Sequence, residues 1–378
     1  MANINLHNVS KQEEALELAK KDLIAFGKLF LPDDYMRSET PPFHYEIADT
    51  ITDMKKRQTA IILPRGHGKT VLTKADILQA FCFTQEPLFY GWVSATAKLA
   101  TGNMDYIKYH LEFNERISYY FGSLKGGKWT ETDIETTNGC KLISKSNISG
   151  IRGGAKLHKR YDLVILDDFE DENNTITPEA RAKNSNLITA VVFPALEPAT
   201  GRLRINGTPV HYDSFINNLI VNYEKSVKSN EEFSWDVVLK KAILSDGTML
   251  WNSWFCPKEM DRKKKFYADS GQPYKFYQEY MMEVQSADNS IFTRDHIKYW
   301  EGIYSYDEEQ DISFVNIDGE LKPINVFAGV DPATDSARRD ADYSVIIIVG
   351  VDSDNNIYVI DFLRKRGIPV LGIPGEKN

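Results

Sequence analysis

The chain is poor in cysteine and in long apolar runs, and it has no excess of positive charge. Its three cysteines have a spacing that fits no metal-binding pattern: Cys82, Cys140 and Cys256. We therefore expect reduced thiols in a cytosolic protein rather than a disulfide framework. No apolar run approaches the length of a membrane span, and the polar N-terminus lacks the pattern of a signal peptide. These absences argue against a secreted disulfide-rich domain and predict no membrane partner.

The charge balance argues against a further class. A formal net charge of −9 does not suit a protein that coats DNA passively, because duplex DNA is itself densely negative. An enzyme that grips DNA transiently through a local basic patch is still allowed. Residues 156–160 and 262–265 are the candidate patches, although a solvated helix or loop face explains each slightly better. We find no internal repeat or low-complexity segment, and the length suits two domains.

Residues 63–70, with the sequence Leu-Pro-Arg-Gly-His-Gly-Lys-Thr, form the most informative stretch. A buried strand is predicted over residues 59–63 and a helix over residues 71–83. A glycine-rich turn between strand and helix that ends in Lys-Thr is typical of the phosphate-binding loop of P-loop NTPases. Its backbone N–H groups and the helix N-terminus both favour an anion. The full pattern begins with glycine, where this chain has Leu63, so the loop is a variant.

The loop also predicts which residues contact a nucleotide. Lys69 is expected to reach the β- and γ-phosphates of ATP, and the hydroxyl of Thr70 is expected to bind Mg²⁺. The predicted nucleotide-contacting residues are Arg65, Gly66, His67, Gly68, Lys69 and Thr70. A chance Gly-Lys-Thr in an ordinary loop is the alternative, and the flanking strand and helix argue against it.

A second predicted strand, residues 161–168, ends in two carboxylates. Carboxylates at the carboxyl end of a strand face the ligand crevice of an open α/β sheet. Asp167 is therefore predicted to hold Mg²⁺ through water, and Asp168 to orient and deprotonate the attacking water. Glu170 is the alternative for the role of Asp168. A helix N-cap or an ordinary loop carboxylate is the structural alternative.

Two further motifs flank this strand in the sequence. Residues 203–209 predict a strand that ends in Asn-Gly-Thr-Pro, where Thr208 can touch the γ-phosphate and report hydrolysis. Residues 148–154 place Arg152 between glycines, where its guanidinium can reach the phosphate of a neighbouring subunit and stabilise transition-state charge. Arg65 competes for that role within its own subunit. A plain turn for the threonine, and a surface or DNA-contacting role for each arginine, are the alternatives.

The order of these motifs resembles the large terminase subunit of tailed bacteriophages. Two other segments fit: residues 42–47 are similar to the adenine-contacting segment of that family, and residues 276–280 resemble the segment that joins its ATPase to its nuclease. The resemblance runs from about residue 40 to the end of the chain. It implies a motor ATPase that pumps double-stranded DNA into a preformed capsid. It also implies a portal protein and a small terminase subunit as partners, a homo-oligomeric ring (a pentamer) on the capsid, and the cytoplasm of a bacterial host as location.

The resemblance further implies a C-terminal nuclease of the ribonuclease H type, whose acidic residues hold two Mg²⁺ or Mn²⁺ ions about 4 Å apart. Strands predicted at 325–331, 343–351 and 357–363, with a turn cluster at 352–356, form the antiparallel meander that begins such a fold. Asp331, at the end of the first of these strands, is the leading metal ligand. Asp342 and Asp361 are weaker candidates. Because few residues follow and the tail is rich in turns, we expect this nuclease domain to be cut short.

The predicted fold class is α/β: an ASCE-type P-loop NTPase with a mainly parallel sheet and helices on both faces, then the start of a ribonuclease H-like domain. The expected domains are an ATPase core at 1–234, a helical lid and linker at 235–290, and a partial nuclease at 291–378. Single helices are expected over residues 11–30 and 45–56. The alternative function is a helicase-like, nucleic-acid-stimulated ATPase without nuclease activity. A non-enzymatic DNA-binding scaffold conflicts with the acidic charge.

Overall fold

A computed structural model of the chain describes residues 9–153, 159–284, 299–317, 319–332 and 343–365. The chain divides into two compact units, Met1–Ile291 and Phe292–Asn378. Within the described ranges, no helix is long and apolar enough to cross a membrane.

The first unit opens with helices. They are α1 (Val9–Lys21), α2 (Leu23–Phe30), α3 (Pro32–Tyr35) and α4 (Pro42–Thr52). The prediction of one helix over residues 11–30 is wrong, because Asp22 has extended backbone angles (φ −123°, ψ 117°) and its carboxylate accepts a hydrogen bond from the Ala25 amide. Asp22 therefore caps α2 instead of continuing α1. The next helix begins earlier than predicted, since Pro42 suits its first turn.

Strands and helices then alternate as the motif analysis predicts. The elements are β1 (Gln58–Ile62), α5 (Lys69–Phe83), β2 (Phe89–Val93), α6 (Ala97–Phe113), α7 (Glu115–Phe121), β3 (Lys125–Trp129), β4 (Asp133–Thr136), β5 (Lys141–Lys145), a 3₁₀ helix (Ile148–Gly153), β6 (Leu163–Asp167), α8 (Pro178–Leu187), a π-helical turn (Ile188–Val192), α9 (Phe193–Ala195), β7 (Arg202–Gly207), α10 (Phe215–Ser229), β8 (Asp236–Leu239), α11 (Pro257–Asp269) and α12 (Pro273–Met281).

The eight strands form one sheet in the order β3-β4-β5-β2-β6-β7-β1-β8. The strands β5, β2, β6, β7, β1 and β8 are parallel to one another. At one edge, β4 is antiparallel to both β5 and β3. Two separate hydrophobic cores cover the faces of the sheet: Ile61 and Ile165 belong to one, and Ile62 and Val164 to the other. This arrangement confirms the α/β fold class. β7 lies between β1 and β6, as an ASCE-type sheet requires.

The region predicted to be helical from residue 235 begins instead with a strand. β8 pairs in parallel with β1 and so extends the main sheet. Only after this strand do α11 and α12 form a small helical subdomain around the buried side chains of Met260, Phe276 and Tyr280. The prediction overlooked Val237 and Val238, which are β-branched and suit a strand.

The second unit is a five-stranded antiparallel sheet. Its strands, in spatial order from one edge to the other, are β9 (Gly302–Asp307), β10 (Ile312–Ile317), β11 (Glu320–Asp331), β12 (Ser344–Val351) and β13 (Ile357–Lys365). The predicted three-strand meander is confirmed as β11 to β13, and β9 and β10, which the sequence analysis did not predict, precede it. The predicted turn cluster is also present, where the Asp352 carboxylate accepts hydrogen bonds from Asp354, Asn356 and Tyr358.

Candidate nucleotide-binding site

The loop between β1 and α5 requires glycine at two positions. Gly66 and Gly68 have φ values of +79° and +89°, in the left-handed region that side chains disfavour. A Cβ on Gly68 would lie 2.8 Å from Nε2 of His44, and one on Gly66 would lie 3.0 Å from the ring of Phe255. The two glycines let the chain turn tightly against neighbouring rings before Lys69 begins α5.

Two buried histidines support this loop from behind. His44 Nε2 donates a hydrogen bond to the His67 carbonyl oxygen at 3.0 Å, and His67 Nδ1 donates to that of Arg65 at 3.1 Å. Burial lowers the pKa of each imidazole to about 4, so both rings are neutral near pH 7. The His67 ring stacks on Phe255 with 4.7 Å between centroids. The His67 ring is buried in this scaffold, so the predicted nucleotide contact of His67 would have to come from its backbone.

Asp167, at the carboxyl end of β6, contacts polar groups from two other elements. The Thr70 hydroxyl lies 3.2 Å from each Asp167 carboxylate oxygen, and Asn206 Nδ2 donates to one of them at 2.9 Å. Asn206 lies directly beside Asp167 in the register of β6 and β7. Burial, and then the charge of Asp168, raise the pKa of Asp167. Such a carboxylate is stabilised in its charged form by a nearby cation.

Asp168 stands next to Asp167 in an uncommon backbone conformation. Its φ is +44°, in a region that residues with a side chain seldom adopt. The backbone is held on both sides, because the Asp168 amide donates to Asn206 and its carbonyl accepts from Ala95. The side chain is 46% exposed, and one carboxylate oxygen lies 3.7 Å from Nζ of the buried Lys69. The carboxylate therefore faces the same cavity as the loop.

Glu170, the alternative to Asp168, has a different role. It is buried, and its two oxygens accept hydrogen bonds from the backbone amides of Phe215 and Ile216 in the first turn of α10. A carboxylate suits a helix N-terminus because the amides there lack partners within the helix. With both oxygens engaged, Glu170 stabilises a helix, and the arrangement favours Asp168 as the residue that orients water.

Lys69, Thr70 and Asp168 line a cavity of about 310 Å³. Other residues of the loop, residues 37–40, Trp251 and Trp254 line it as well. The segment 42–47, similar to an adenine-contacting segment, contributes His44 alone. Tyr45 lies 3.4 Å from the Lys28 amine, and Glu46 forms an ion pair with Lys240.

The cavity fits a nucleotide with Mg²⁺. The Thr70 hydroxyl and the Asp167 carboxylate are oxygen donors in contact with each other, and oxygen donors are the ligands that Mg²⁺ prefers. Phosphate oxygens and water would complete the shell. Lys69 places a buried positive charge beside them. The described residues contain no group of three or more His, Cys, Asp or Glu that could hold a metal without such outside ligands.

The remaining predicted residues of this unit lie in three places. Arg65 lines the cavity, and its guanidinium lies 3.2 Å from the carboxylate of Glu279 on α12. Arg152 lies on the 3₁₀ helix, and its side chain is outside the described residues. Thr208 directly follows β7, beside Gly207, where a Cβ would lie 3.9 Å from an Asp168 oxygen.

Solved structures similar to this chain come from phage packaging proteins. The large terminase of bacteriophage HK97 matches with a TM-score of 0.46 and 13% identity, over 91% of this chain and 67% of that chain. The ATPase domain of the Thermus phage P74-26 large terminase matches with a TM-score of 0.46 and 15% identity, over 69% of this chain and 97% of that chain. The Phi-28 gp11 DNA packaging motor matches with a TM-score of 0.35 and 10% identity, over 72% and 76%.

The chain is thus similar to phage large terminases, the family that its motifs resemble. No protein-family model matches it, and no curated protein matches its sequence.

Sequence reasoning missed a polar face on β7. Arg202, Arg204 and Asn206 alternate along this buried strand. The two arginines donate to the Ile51 carbonyl oxygen at the end of α4. Arg204 also lies 2.8 Å from the Asp76 carboxylate on α5, and burial lowers the pKa of this guanidinium. Polar residues at every second position of an otherwise apolar strand were the available signal.

The second unit separates its acidic candidates. Asp331 pairs with Val345 across β11 and β12, whereas Asp361 pairs with Ile348 across β12 and β13. Directly paired residues share a face, and residues an odd number of positions apart on one strand lie on opposite faces. Asp331 and Asp361 therefore lie on opposite faces of the sheet and cannot hold one metal together. Asp342 lies outside the described residues.

Proposed function

We propose that this chain is an ATPase whose hydrolysis of ATP drives double-stranded DNA into a viral capsid. One observation supports the ATPase: Lys69, Thr70 and Asp168 line a single cavity at the carboxyl end of a parallel sheet, and the buried Asp167 contacts Thr70 there. Ligands of open α/β sheets bind in the crevice at this edge. The resemblance of the motifs to large terminases supports DNA packaging as the use of the hydrolysis.

The residues divide the chemistry among themselves. Lys69 would bind the β- and γ-phosphates, so an incoming phosphate competes with Asp168 for the lysine. Asp168, once released from this contact, would be free to accept a proton from water. Thr70 and Asp167 would hold Mg²⁺, which neutralises phosphate charge during transfer. Asn206, which already donates to Asp167, orients that carboxylate.

Two further roles follow from the resemblance. Arg152 would stabilise transition-state charge in the site of a neighbouring subunit of a ring, with Arg65 as the candidate within its own subunit. Thr208, which directly follows Gly207, would signal phosphate loss to the helical subdomain. A portal protein and a small terminase subunit would be the partners of that ring.

The nuclease is the second activity that the resemblance implies. Asp331 with Asp342 would bind the metal. Arg364 lies on the same face as Asp331, because both pair with Val345, and an arginine there suits a DNA phosphate.

A helicase-like ATPase is the alternative. Helicases of the two-domain type carry a second RecA-like domain with its own parallel sheet. The described strands of the second unit are instead all antiparallel to their neighbours. This observation favours the packaging motor.

The test compares ATP hydrolysis by the parent chain, Lys69→Ala and Lys225→Ala, with and without linear duplex DNA. Removal of the Lys69 charge should lower turnover about 100- to 1,000-fold. Lys225→Ala, an exposed change on α10, should leave it unaltered. Near-normal turnover by Lys69→Ala would refute the ATPase assignment. Unwinding of a forked duplex, dependent on Lys69, would favour the helicase-like alternative.

A further inference from the structure

Two tryptophans form an aromatic wall of the cavity. Trp251 and Trp254, from the segment between β8 and α11, line the cavity. Their indole rings stack on each other, with 5.5 Å between centroids and 24° between planes. The outer indole, Trp254, is 44% exposed. This exposed ring lines the cavity and is available to stack on a flat group of a ligand.

Trp251 ties this wall to the phosphate loop. Its ring lies 4.7 Å from that of His44 and 6.2 Å from that of His67, the two histidines behind the loop. The backbone is fixed as well, because the Trp251 carbonyl oxygen accepts hydrogen bonds from the amides of Trp254 and Phe255. Trp251 is therefore packed against the buried histidines behind the loop.

Phe255 completes the connection from the other side. Its ring stacks on His67 and occupies the space where a side chain on Gly66 would lie. Trp251 and Phe255 thus both contact the loop, and Trp254 lies between them in the sequence. From the segment expected to contact adenine, His44 lines the cavity, whereas Tyr45 contacts Lys28 and Glu46 forms an ion pair with Lys240.

We propose that Trp254 stacks on the purine base of the bound nucleotide, with Trp251 holding its indole in position. This inference rests on the proposed function, since the triphosphate must occupy the loop for the base to reach the wall. Aromatic stacking tolerates any base because every base has a π-face. Binding should therefore depend on the presence of a base more strongly than on its identity.

Binding of the nucleotide would then join two parts of the first unit. The phosphates contact the loop of the sheet core, and the base contacts the segment that leads into α11. Loss of the base contact should weaken the nucleotide affinity and leave the affinity for phosphates alone unchanged.

The experiment measures dissociation constants for Mg·ATP and for Mg·tripolyphosphate, which can occupy the loop but has no base. Isothermal titration calorimetry is performed on the parent, Trp254→Leu, Trp254→Phe and the control Tyr119→Leu, an exposed aromatic on α7. We expect Trp254→Leu to raise the constant for ATP about tenfold and to leave that for tripolyphosphate unchanged. Trp254→Phe should retain most of the affinity, and Tyr119→Leu all of it.

Tryptophan fluorescence supplies a second readout. ATP should quench the parent more than tripolyphosphate does, and the difference should vanish in Trp254→Leu. An equal loss of affinity for both ligands in that variant, or an unchanged affinity for ATP, would overturn the stacking role. If the parent binds neither ligand, the proposed ATPase fails and the inference fails with it. If it binds both and Trp254→Leu matches the parent, only the inference fails.

Discussion

Both units of this chain contain an apolar strand that ends in an aspartate, but the described residues form a site around only one of them. β6 ends at Asp167, which contacts Thr70 and Asn206 from two other elements. β11 ends at Asp331, whose partner across the sheet is Val345. The same local pattern therefore forms a cluster of polar side chains in the first sheet, and the described residues show no such cluster around Asp331 in the second.

Strand direction explains the difference. In the first unit β6 and β7 are parallel, so their carboxyl ends meet at one edge, and the N-terminus of α5 lies at the same edge. In the second unit β11 and β12 are antiparallel, so the end of one strand faces the beginning of the next. An aspartate at the end of a strand thus predicts a shared site most reliably where the neighbouring strands are parallel.

The largest expected difference between the two units is in ATP hydrolysis by the variants Asp168→Asn and Asp331→Asn. The first change removes the group proposed to accept a proton from water, so kcat for ATP hydrolysis should fall about 100- to 10,000-fold. ATP binding should persist because Lys69 and the loop are unchanged. Asp331→Asn should leave hydrolysis unaltered. Calorimetry and phosphate release measure both, and equal kcat values for the two variants would contradict the assignment.

A smaller effect is expected from the second sheet itself. If Asp331 binds the nuclease metal, Mn²⁺-dependent nicking of supercoiled plasmid should fall about 100-fold in Asp331→Ala. Asp361→Ala is the matched control, since this carboxylate lies on the opposite face and its loss should leave nicking intact. Gel analysis of relaxed and linear plasmid measures both. Absence of cutting by the parent, or equal loss in both variants, would argue against a site at Asp331.

The smallest effect concerns the stability of the loop scaffold. Burial lowers the pKa of His44 from 6.5 to about 4, so the unfolded chain binds more protons than the folded chain between these values. The contribution of the neutral His44 to the free energy of unfolding is therefore fully present above pH 6.5 and is lost as the pH falls toward 4. For one such histidine the loss between pH 7 and pH 5 is about 2 kcal/mol. His67 acts in the same direction, and Asp167, with its raised pKa, acts in the opposite one.

His44→Gln should remove this contribution. Guanidinium denaturation at pH 7 and pH 5 should show a smaller loss of unfolding free energy for the variant than for the parent. An identical pH dependence in the two proteins would mean that the His44 imidazole is not held neutral by its burial.

Much of the first unit could be predicted because its signals are local. The strand, loop and helix around Lys69 follow from apolar runs and glycine spacing. The site also followed in outline, since Asp167 and Asp168 end a buried strand. The break at Asp22 was missed because helical spacing continues through it, while a carboxylate that caps the next helix competes with that pattern.

By itself, the sequence determined the loop, the elements beside it and the candidate carboxylates, because each depends on residues close together in the chain. The tertiary structure alone decided which candidates meet. It placed Asn206 on Asp167, used Glu170 as a helix cap, buried the His67 ring behind the loop and separated Asp331 from Asp361. It also brought Trp254 to the cavity from far along the chain. These outcomes depend on strand order, register and packing, and no local pattern encodes them.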